Sequence, residues 1–258
     1  MTTNEDLLFE KDGPVGLITF NRPEARNALT FAMYQRLAEI CREPEGLGVK
    51  VLVLTGAGER AFAAGTDIAQ FRSFTTDQHA LDYEAQMDEV LGAVETCPLP
   101  TIAAIAGACT GGGAAIAAAC DLRIATADLK FGFPIARTLG NCLSVANLAR
   151  LTALLGAGRT REIIFTSRLV FAEEAAAVGL VSEVLDDHQA LMRRARALAE
   201  LLAEQAPLTL RATKEGLRRL AQSEVEDADL ILSCYTSADF REGLEAFLAK
   251  RKPNWQGR

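Results

Sequence analysis

The first half of the chain carries short apolar runs separated by turn residues and by segments with helical spacing. The segments Leu7–Lys11 and Val15–Phe20 flank Asp12-Gly13-Pro14, a pattern that predicts a β-hairpin. The same criteria predict, in chain order, a helix capped by Thr30 and running to about Cys41, a strand over Val49–Leu54, a loop over Thr55–Thr66, a helix over about Asp77–Thr96, a strand over Thr101–Ala106, a helix to about Ala119 and a strand over Asp121–Ala125. Strands this apolar predict an α/β fold in which helices cover both faces of a sheet.

Helical spacing dominates the second half of the chain, from Leu148 onward, and strand signals are few after His188. No repeat or low-complexity linker separates the two halves. The sequence therefore predicts an α/β core over residues 1–187 and a helical C-terminal region over residues 188–258.

The composition favours a globular protein without a nucleic-acid partner. The 258 residues are 49% hydrophobic, and the net charge of -7 gives no general electrostatic support for binding DNA or RNA. The acidic start, Met1–Asp12, lacks an apolar run, and the apolar stretch Thr101–Cys120 is better explained by a strand, a turn and a helix than by a membrane span. These features predict a cytoplasmic protein with no membrane partner.

Cysteine and histidine usage argues against a metal centre. The six cysteines form no CxxC pair, so buried free thiols in a reducing compartment are expected. The two histidines, His79 and His188, are far apart, which makes a histidine-based metal site or a Ser-His-Asp triad an unfavourable interpretation.

Two strand–helix junctions suggest chemistry. In Gly58–Ile68, Gly65 allows a sharp turn that leaves the amide of Thr66 free to point into a cavity. In Ile105–Gly113, glycines at a helix start expose backbone amides. Two converging amides would form an oxyanion hole, although a glycine run taken alone more often marks a turn. Neither run is a dinucleotide or ATP fingerprint.

Several motifs, in order and spacing, resemble the crotonase (enoyl-CoA hydratase/isomerase) superfamily over essentially the whole chain. They are Asn21–Leu29, Phe62–Ile68, Gly107 with Gly111–Gly113, Cys120–Ala125, Ala175–Leu185, Arg241–Leu244 with Phe247, and Lys250–Pro253. The resemblance implies a spiral of β-β-α units with a helical C-terminal region, a homotrimer or homohexamer, and acyl-CoA as substrate. It also implies that coenzyme A enters as part of the thioester and that no cofactor is bound permanently.

The resemblance assigns roles to individual positions. Thr66 and Gly112 match the two oxyanion-hole amide donors. The positions expected to contact coenzyme A are Ala25, Ala63, Gly65, Asp67, Ile68, Pro134 and Ile135, together with Phe247 and Lys250, which in relatives often come from a neighbouring subunit. Arg22 and Arg26 are candidate phosphate contacts, and solvated surface charge is an equally weighted interpretation.

The sequence departs from the family at the two positions that carry the chemistry of a hydratase. A hydratase needs two carboxylates, one to activate water and one to deliver the proton. The matching positions are Ala115 and Ile135, so we expect true hydratase activity to be weak or absent.

Three other side chains are candidates for the missing acid or base. Glu84 and Asp88 lie four residues apart on the flank of a buried helix face, and Cys142 follows in a predicted pocket loop. Ordinary solvated acids and a buried small cysteine are the favoured alternatives. The leading hypothesis is an enzyme that stabilises a thioester enolate, and the alternative is a catalytically silent protein that binds CoA thioesters.

Overall fold

Residues 5–258, the part of the chain described by the computed structural model, contain ten strands and nine helices. The strands are β1 (Leu7–Asp12), β2 (Val15–Phe20), β3 (Val51–Gly56), β4 (Ala61–Ala63), β5 (Thr101–Ile105), β6 (Ala108–Thr110), β7 (Leu122–Thr126), β8 (Lys130–Gly132), β9 (Val170–Phe171) and β10 (Glu183–Leu185). The helices are α1 (Phe31–Arg42), α2 (Asp77–Glu95), α3 (Gly112–Ala119), α4 (Val145–Thr166), α5 (Ala172–Ala177), α6 (His188–Ala203), α7 (Pro207–Ala221), α8 (Ala228–Tyr235) and α9 (Ala238–Leu248).

The core is a spiral of repeated β-β-α turns. Three consecutive turns are β3-β4-α2, β5-β6-α3 and β7-β8-α4. The first strand of each turn joins a six-stranded sheet of order β1-β2-β3-β5-β7-β10, and the second joins a four-stranded sheet of order β4-β6-β8-β9. Equivalent junctions between second strand and helix are therefore stacked side by side. This architecture confirms the predicted α/β spiral.

The centre of the larger sheet is buried on both faces. All six residues of β3 are buried, because α1, α2 and α3 pack against one face and α6 against the other. Helix α6 begins at the predicted boundary, yet its apolar stripe of Leu191, Ala195 and Leu198 packs directly on the sheet. The division at residue 188 stays a prediction.

Most predicted elements are confirmed, with shifts at their ends. The predicted hairpin is present and pairs Leu7 with Phe20. The side chain of Thr30 caps α1, since it accepts a hydrogen bond from the amide of Met33 at 3.3 Å. The strand predicted from Val49 begins at Val51 instead, where it pairs in parallel with β2. The predicted loop over Thr55–Thr66 contains the short strand β4, which pairs with β6.

The C-terminal region is helical, as predicted, and leaves large apolar side chains exposed. They include Leu217, Leu220, Ile231, Leu232, Tyr235, Leu244, Phe247 and Leu248. No helix within residues 5–258 combines the length and the apolar character needed to cross a membrane. The first four residues of the acidic start, which was expected to carry no targeting signal, lie outside the described residues.

Candidate active site

The first strand–helix junction turns one backbone amide away from the neighbouring segment of the chain. Leu29 donates to the carbonyl of Gly65 at 2.8 Å, and its own carbonyl accepts from the amide of Asp67 at 2.9 Å. Alternate peptide groups of an extended segment point in opposite directions, so the N–H of Thr66 points away from Leu29. Gly65 enters this segment with a φ of 102°, which glycine adopts without strain.

The second junction presents the first amides of α3. Gly111 has φ 53° and ψ -121°, and the helix begins directly after it at Gly112. The amide of Gly112 has no helical acceptor at this position. Nor does any carbonyl in the described chain accept from it or from the amide of Thr66. Two unpaired donors therefore belong to neighbouring turns of the spiral.

The two junctions pack directly against each other. A β-carbon on Gly113 would collide with the carbonyl oxygen of Ala63, and one on Gly111 would lie 3.4 Å from the Cα of Gly65. Glycine at these positions therefore permits the close approach of the two turns. The approach brings Thr66 and Gly112 to the wall of a single cavity.

The cavity has a volume of about 200 Å³ and lies between the two junctions, α2 and the loop that precedes α4. Eight of the predicted site residues line it, namely Gly65, Thr66, Ile68, Glu84, Gly112, Pro134, Ile135 and Cys142. Ala115 also lines it. The two positions at which the family resemblance calls for hydratase glutamates thus both face this cavity as apolar side chains.

A chain of hydroxyl groups lies beside the first junction. The Oγ1 atom of Thr66 is 2.9 Å from the hydroxyl of Tyr34 and 2.9 Å from that of Tyr83. The ring of Tyr83 packs edge-on against Phe71, with 4.9 Å between the centroids. Burial raises the pKa of both tyrosines, so both phenols stay protonated at neutral pH.

Glu84 and Asp88 have different surroundings, although both lie on the same flank of α2. Glu84 lines the cavity, where partial burial and then the charge of Asp88 raise the pKa of its carboxyl group. The carboxylate of Asp88 accepts a hydrogen bond from the hydroxyl of Ser144, which also caps α4. Of these two acids, Glu84 is therefore the one that lines the cavity, while Asp88 links α2 to the start of α4.

The cysteines are only partly as expected. Cys41, Cys97, Cys109 and Cys120 are buried free thiols, whereas Cys142 is exposed and Cys234 is half-buried. The expectation of burial is therefore wrong for these last two. Cys142 lies in the segment between Pro134–Ala136 and α4, a connection that runs outside the hydrophobic core.

The remaining residues predicted to contact coenzyme A surround the first junction. Arg22 donates to a carboxylate oxygen of Asp67 at 3.0 Å and to the carbonyl of Ala28 at 2.8 Å. Ala25 is half-buried and Arg26 is exposed, whereas the side chain of Ala63 is fully buried. The Arg22–Asp67 pair joins the chain before α1 to the segment that carries Thr66.

Phe247 and Lys250 lie away from the cavity within one chain. Phe247 is on α9 and 82% exposed, and Lys250 follows that helix with a φ of 52°. Neither residue lines the cavity described here. Their assigned contact with coenzyme A stays a prediction that involves a neighbouring subunit.

Sequence reasoning missed the two tyrosines of the hydroxyl chain. Tyr34 lies on the apolar face of α1 and has the spacing of an ordinary core residue. Tyr83 has the spacing of the apolar stripe of α2, one turn before the buried Met87. Its position directly before Glu84, on the same edge of that stripe, was the available signal.

An α/β spiral whose adjacent strand–helix junctions bring two residues with unpaired amides to one cavity matches the architecture of the crotonase superfamily. The family model described as enoyl-CoA hydratase/isomerase matches residues 10–258, and the chain belongs to that family. It is 32% identical to a short-chain-enoyl-CoA hydratase of Clostridium acetobutylicum, over 96% of each protein. It is 30% identical to a crotonyl-CoA hydratase of Syntrophomonas wolfei, over 97% of this chain and 98% of that protein.

Solved structures show the same relationship. An enoyl-CoA hydratase/carnithine racemase from Magnetospirillum magneticum superposes with a TM-score of 0.90 at 33% identity, and the match covers 99% of this chain and 97% of the other. The likeness therefore extends through the helical C-terminal region.

Proposed function

We propose that this protein acts on acyl-CoA thioesters by forming an enolate whose oxygen is held by the amides of Thr66 and Gly112. The observation that carries the proposal is that Thr66 and Gly112, whose amides have no acceptor in the described chain, line the same cavity as Glu84. A donor pair aimed at the thioester oxygen stabilises the charge that develops there. A carboxylate in the same cavity supplies the base that the enolate requires.

The reaction best matched to one carboxyl group is migration of a double bond along the acyl chain. Glu84 would take a proton from the α-carbon of a 3-enoyl-CoA, and the electron pair would move onto the thioester oxygen. The protonated Glu84 would then return the proton to the γ-carbon as the 2-enoyl double bond forms. No water and no second acid are consumed, so a single carboxyl group completes the cycle.

Hydration is less well supported by the side chains of the cavity. Addition of water needs one group to activate the water and another to deliver a proton. Ala115 and Ile135 can do neither. The relatives named above as hydratases make acyl-CoA the expected substrate class, while these two positions favour a different reaction on it.

The coenzyme A portion is assigned to the rim of the cavity. Ile68 lines the cavity and is 59% exposed, and the exposed Arg26 directly follows the 3-10 helix Pro23–Ala25. Arg26 is the better phosphate candidate of the two arginines, because Arg22 is already paired with Asp67. Phe247 and Lys250 would complete the site from a neighbouring subunit.

The test is an isomerisation assay with 3-hexenoyl-CoA, together with deuterium uptake at the α-carbon of butyryl-CoA. Glu84→Gln should reduce both rates by about 10²–10⁴-fold while binding of butyryl-CoA persists. Glu89→Gln is the matched control, because Glu89 lies on the same helix but is exposed. Binding without exchange in the native protein would support the alternative of a catalytically silent CoA-thioester-binding protein. Equal rates in native protein and Glu84→Gln would remove Glu84 as the base.

A further inference from the structure

The hydroxyl chain Tyr34–Thr66–Tyr83 runs from the core to the wall of the cavity. All three residues line the cavity, but Tyr34 is only 1% exposed, whereas Thr66 and Tyr83 are half-buried. The three groups carry three hydroxyl hydrogens but form only two links, both of 2.9 Å. One hydrogen is therefore left over.

The position of the leftover hydrogen follows from burial. Within residues 5–258, the hydroxyl of Tyr34 has no hydrogen-bond partner besides Thr66. A buried O–H without an acceptor is strongly disfavoured, so Tyr34 donates to Thr66. The free hydrogen then belongs to Thr66 or to Tyr83. Both residues line the cavity and are more exposed than Tyr34, so either arrangement leaves an O–H donor in the cavity wall at or next to Thr66.

The phenol is the more effective of the two donors. If Thr66 donates to Tyr83, all the links run in one direction, and each hydrogen bond of such a chain polarises the next. The phenol, with an ordinary pKa of about 10, then donates toward the cavity. Its ring is held among aromatic side chains, with centroid distances of 4.9 Å to Phe71, 5.7 Å to Phe31 and 5.9 Å to Phe74.

We infer that Tyr83 is a third donor to the thioester oxygen, beside the amides of Thr66 and Gly112, and that Tyr34 is a positioning residue that sets the direction of the chain. The inference rests on the proposed function, because it needs a thioester oxygen between the two amides. It assigns a catalytic role to a side chain that the sequence pattern places in a core stripe. The substrate oxygen would then accept three hydrogen bonds as its negative charge develops.

The experiment uses butyryl-CoA labelled with ¹³C at the carbonyl and bound to the full-length protein. Binding between the amides should polarise the carbonyl, which shifts its ¹³C resonance and lowers its stretching frequency. Tyr83→Phe should reduce both displacements and slow α-carbon deuterium uptake by on the order of 10²-fold, as for loss of one oxyanion donor. The dissociation constant should change little, because the charge develops after binding.

The chain offers a matched control in its third tyrosine. Tyr235 lies on α8, is 64% exposed and does not line the cavity, so Tyr235→Phe should reproduce the native spectra and rates. Thr66→Val is the second test variant. It keeps the backbone amide but removes the hydrogen bonds to Tyr34 and Tyr83, so the shifts of the carbonyl resonance and stretching frequency should become smaller. Circular dichroism and the melting temperature check the fold of each variant.

The outcomes separate this inference from the proposed function. No carbonyl displacement in the native protein would refute the oxyanion hole itself. If Tyr83→Phe and Thr66→Val show the same shifts of the carbonyl resonance and stretching frequency as the native protein, and the same exchange rates, the role of Tyr83 is overturned. The two amides would then remain the proposed donors. A reduced displacement in Tyr83→Phe with native binding would support the third donor.

Discussion

The phenolic oxygen of Tyr34 lies where a β-carbon on Gly112 would be. The side chain of the core helix α1 thus occupies the space that glycine leaves open at the start of α3. The same oxygen is 2.9 Å from the Oγ1 atom of Thr66, so Tyr34 contacts both strand–helix junctions that carry the proposed amide donors. One buried aromatic side chain therefore packs against both junctions.

This relationship predicts that Gly112→Ala is destabilising and that a second substitution relieves it. The added methyl group overpacks a buried site, which typically costs about 1–3 kcal/mol in the free energy of unfolding. Tyr34→Phe removes the obstructing oxygen and leaves the ring carbon Cζ 3.2 Å from the new methyl group, a contact that a small shift relieves. Urea denaturation of the two single variants and the double variant measures the coupling.

Recovery of stability in the double variant is the expected result. Gly113→Ala provides the contrast, because its β-carbon would collide with the backbone carbonyl of Ala63. Tyr34→Phe should not rescue that variant. If Gly112→Ala lowers the free energy of unfolding by the same amount with and without Tyr34→Phe, the two positions do not compete for space.

A second prediction concerns the pH dependence of stability at Glu84. Burial and the charge of Asp88 raise the pKa of this carboxyl group above its ordinary value, so the folded chain holds the proton more tightly than the unfolded chain. The resulting stabilisation is complete below about pH 4.3, the ordinary pKa of glutamate, and is lost as the pH rises through the folded pKa. Glu84→Gln, which stays neutral, should therefore gain stability relative to the native protein between pH 4 and pH 7.

Denaturation at both pH values measures this difference. Glu89→Gln serves again as the control. The ion pair of Glu89 with Arg42 lies on the surface, and such pairs contribute little to stability. If the difference in free energy of unfolding between the native protein and Glu84→Gln is the same at pH 4 and pH 7, burial does not raise the pKa of Glu84.

A third prediction is that hydration of crotonyl-CoA is weak or absent. General acid and base groups contribute typically about 10²–10⁴-fold each, and the cavity presents Ala115 and Ile135 where the resemblance calls for both. The loss of crotonyl-CoA absorbance measures the rate, with 3-hexenoyl-CoA isomerisation by the same preparation as the comparison. Hydration at the rate of an efficient enzyme would mean that another side chain of the cavity replaces the missing acid.

A fourth prediction is that the protein assembles through its C-terminal region into a trimer or hexamer. Helices α8 and α9 expose Leu232, Leu244 and Phe247 at 57%, 50% and 82%, and several large exposed apolar side chains on neighbouring helices are typical of an interaction surface. Sedimentation analysis at micromolar concentration measures the mass. Leu244→Glu should weaken the assembly, whereas Arg241→Glu on the same helix is the control for added charge. A monomeric native protein would contradict the prediction.

The sequence predicts the strands and the two junctions well, because their signals are local. Gly65 and Gly111 mark sharp turns that few other residues tolerate, and the apolar run of β3 indicates a buried strand. The difference between Glu84 and Asp88 could not be predicted, since it depends on Ser144, which lies 56 residues from Asp88 along the chain. The contact of Tyr34 with the site could not be predicted, because a tyrosine that borders a site and one in the core have the same spacing along a helix.

The single carboxyl group in the cavity would have a consequence for isotopic labels. Among the residues described, Glu84 is the only carboxylate that lines the cavity. A proton that it removes from C2 would be returned to C4 by the same group, and both transfers would occur on one side of the planar intermediate. Deuterium placed at C2 of a 3-enoyl-CoA should therefore reappear partly at C4 rather than exchange fully with solvent. The fraction retained would record how often the carboxyl group completes its transfer before water reaches it.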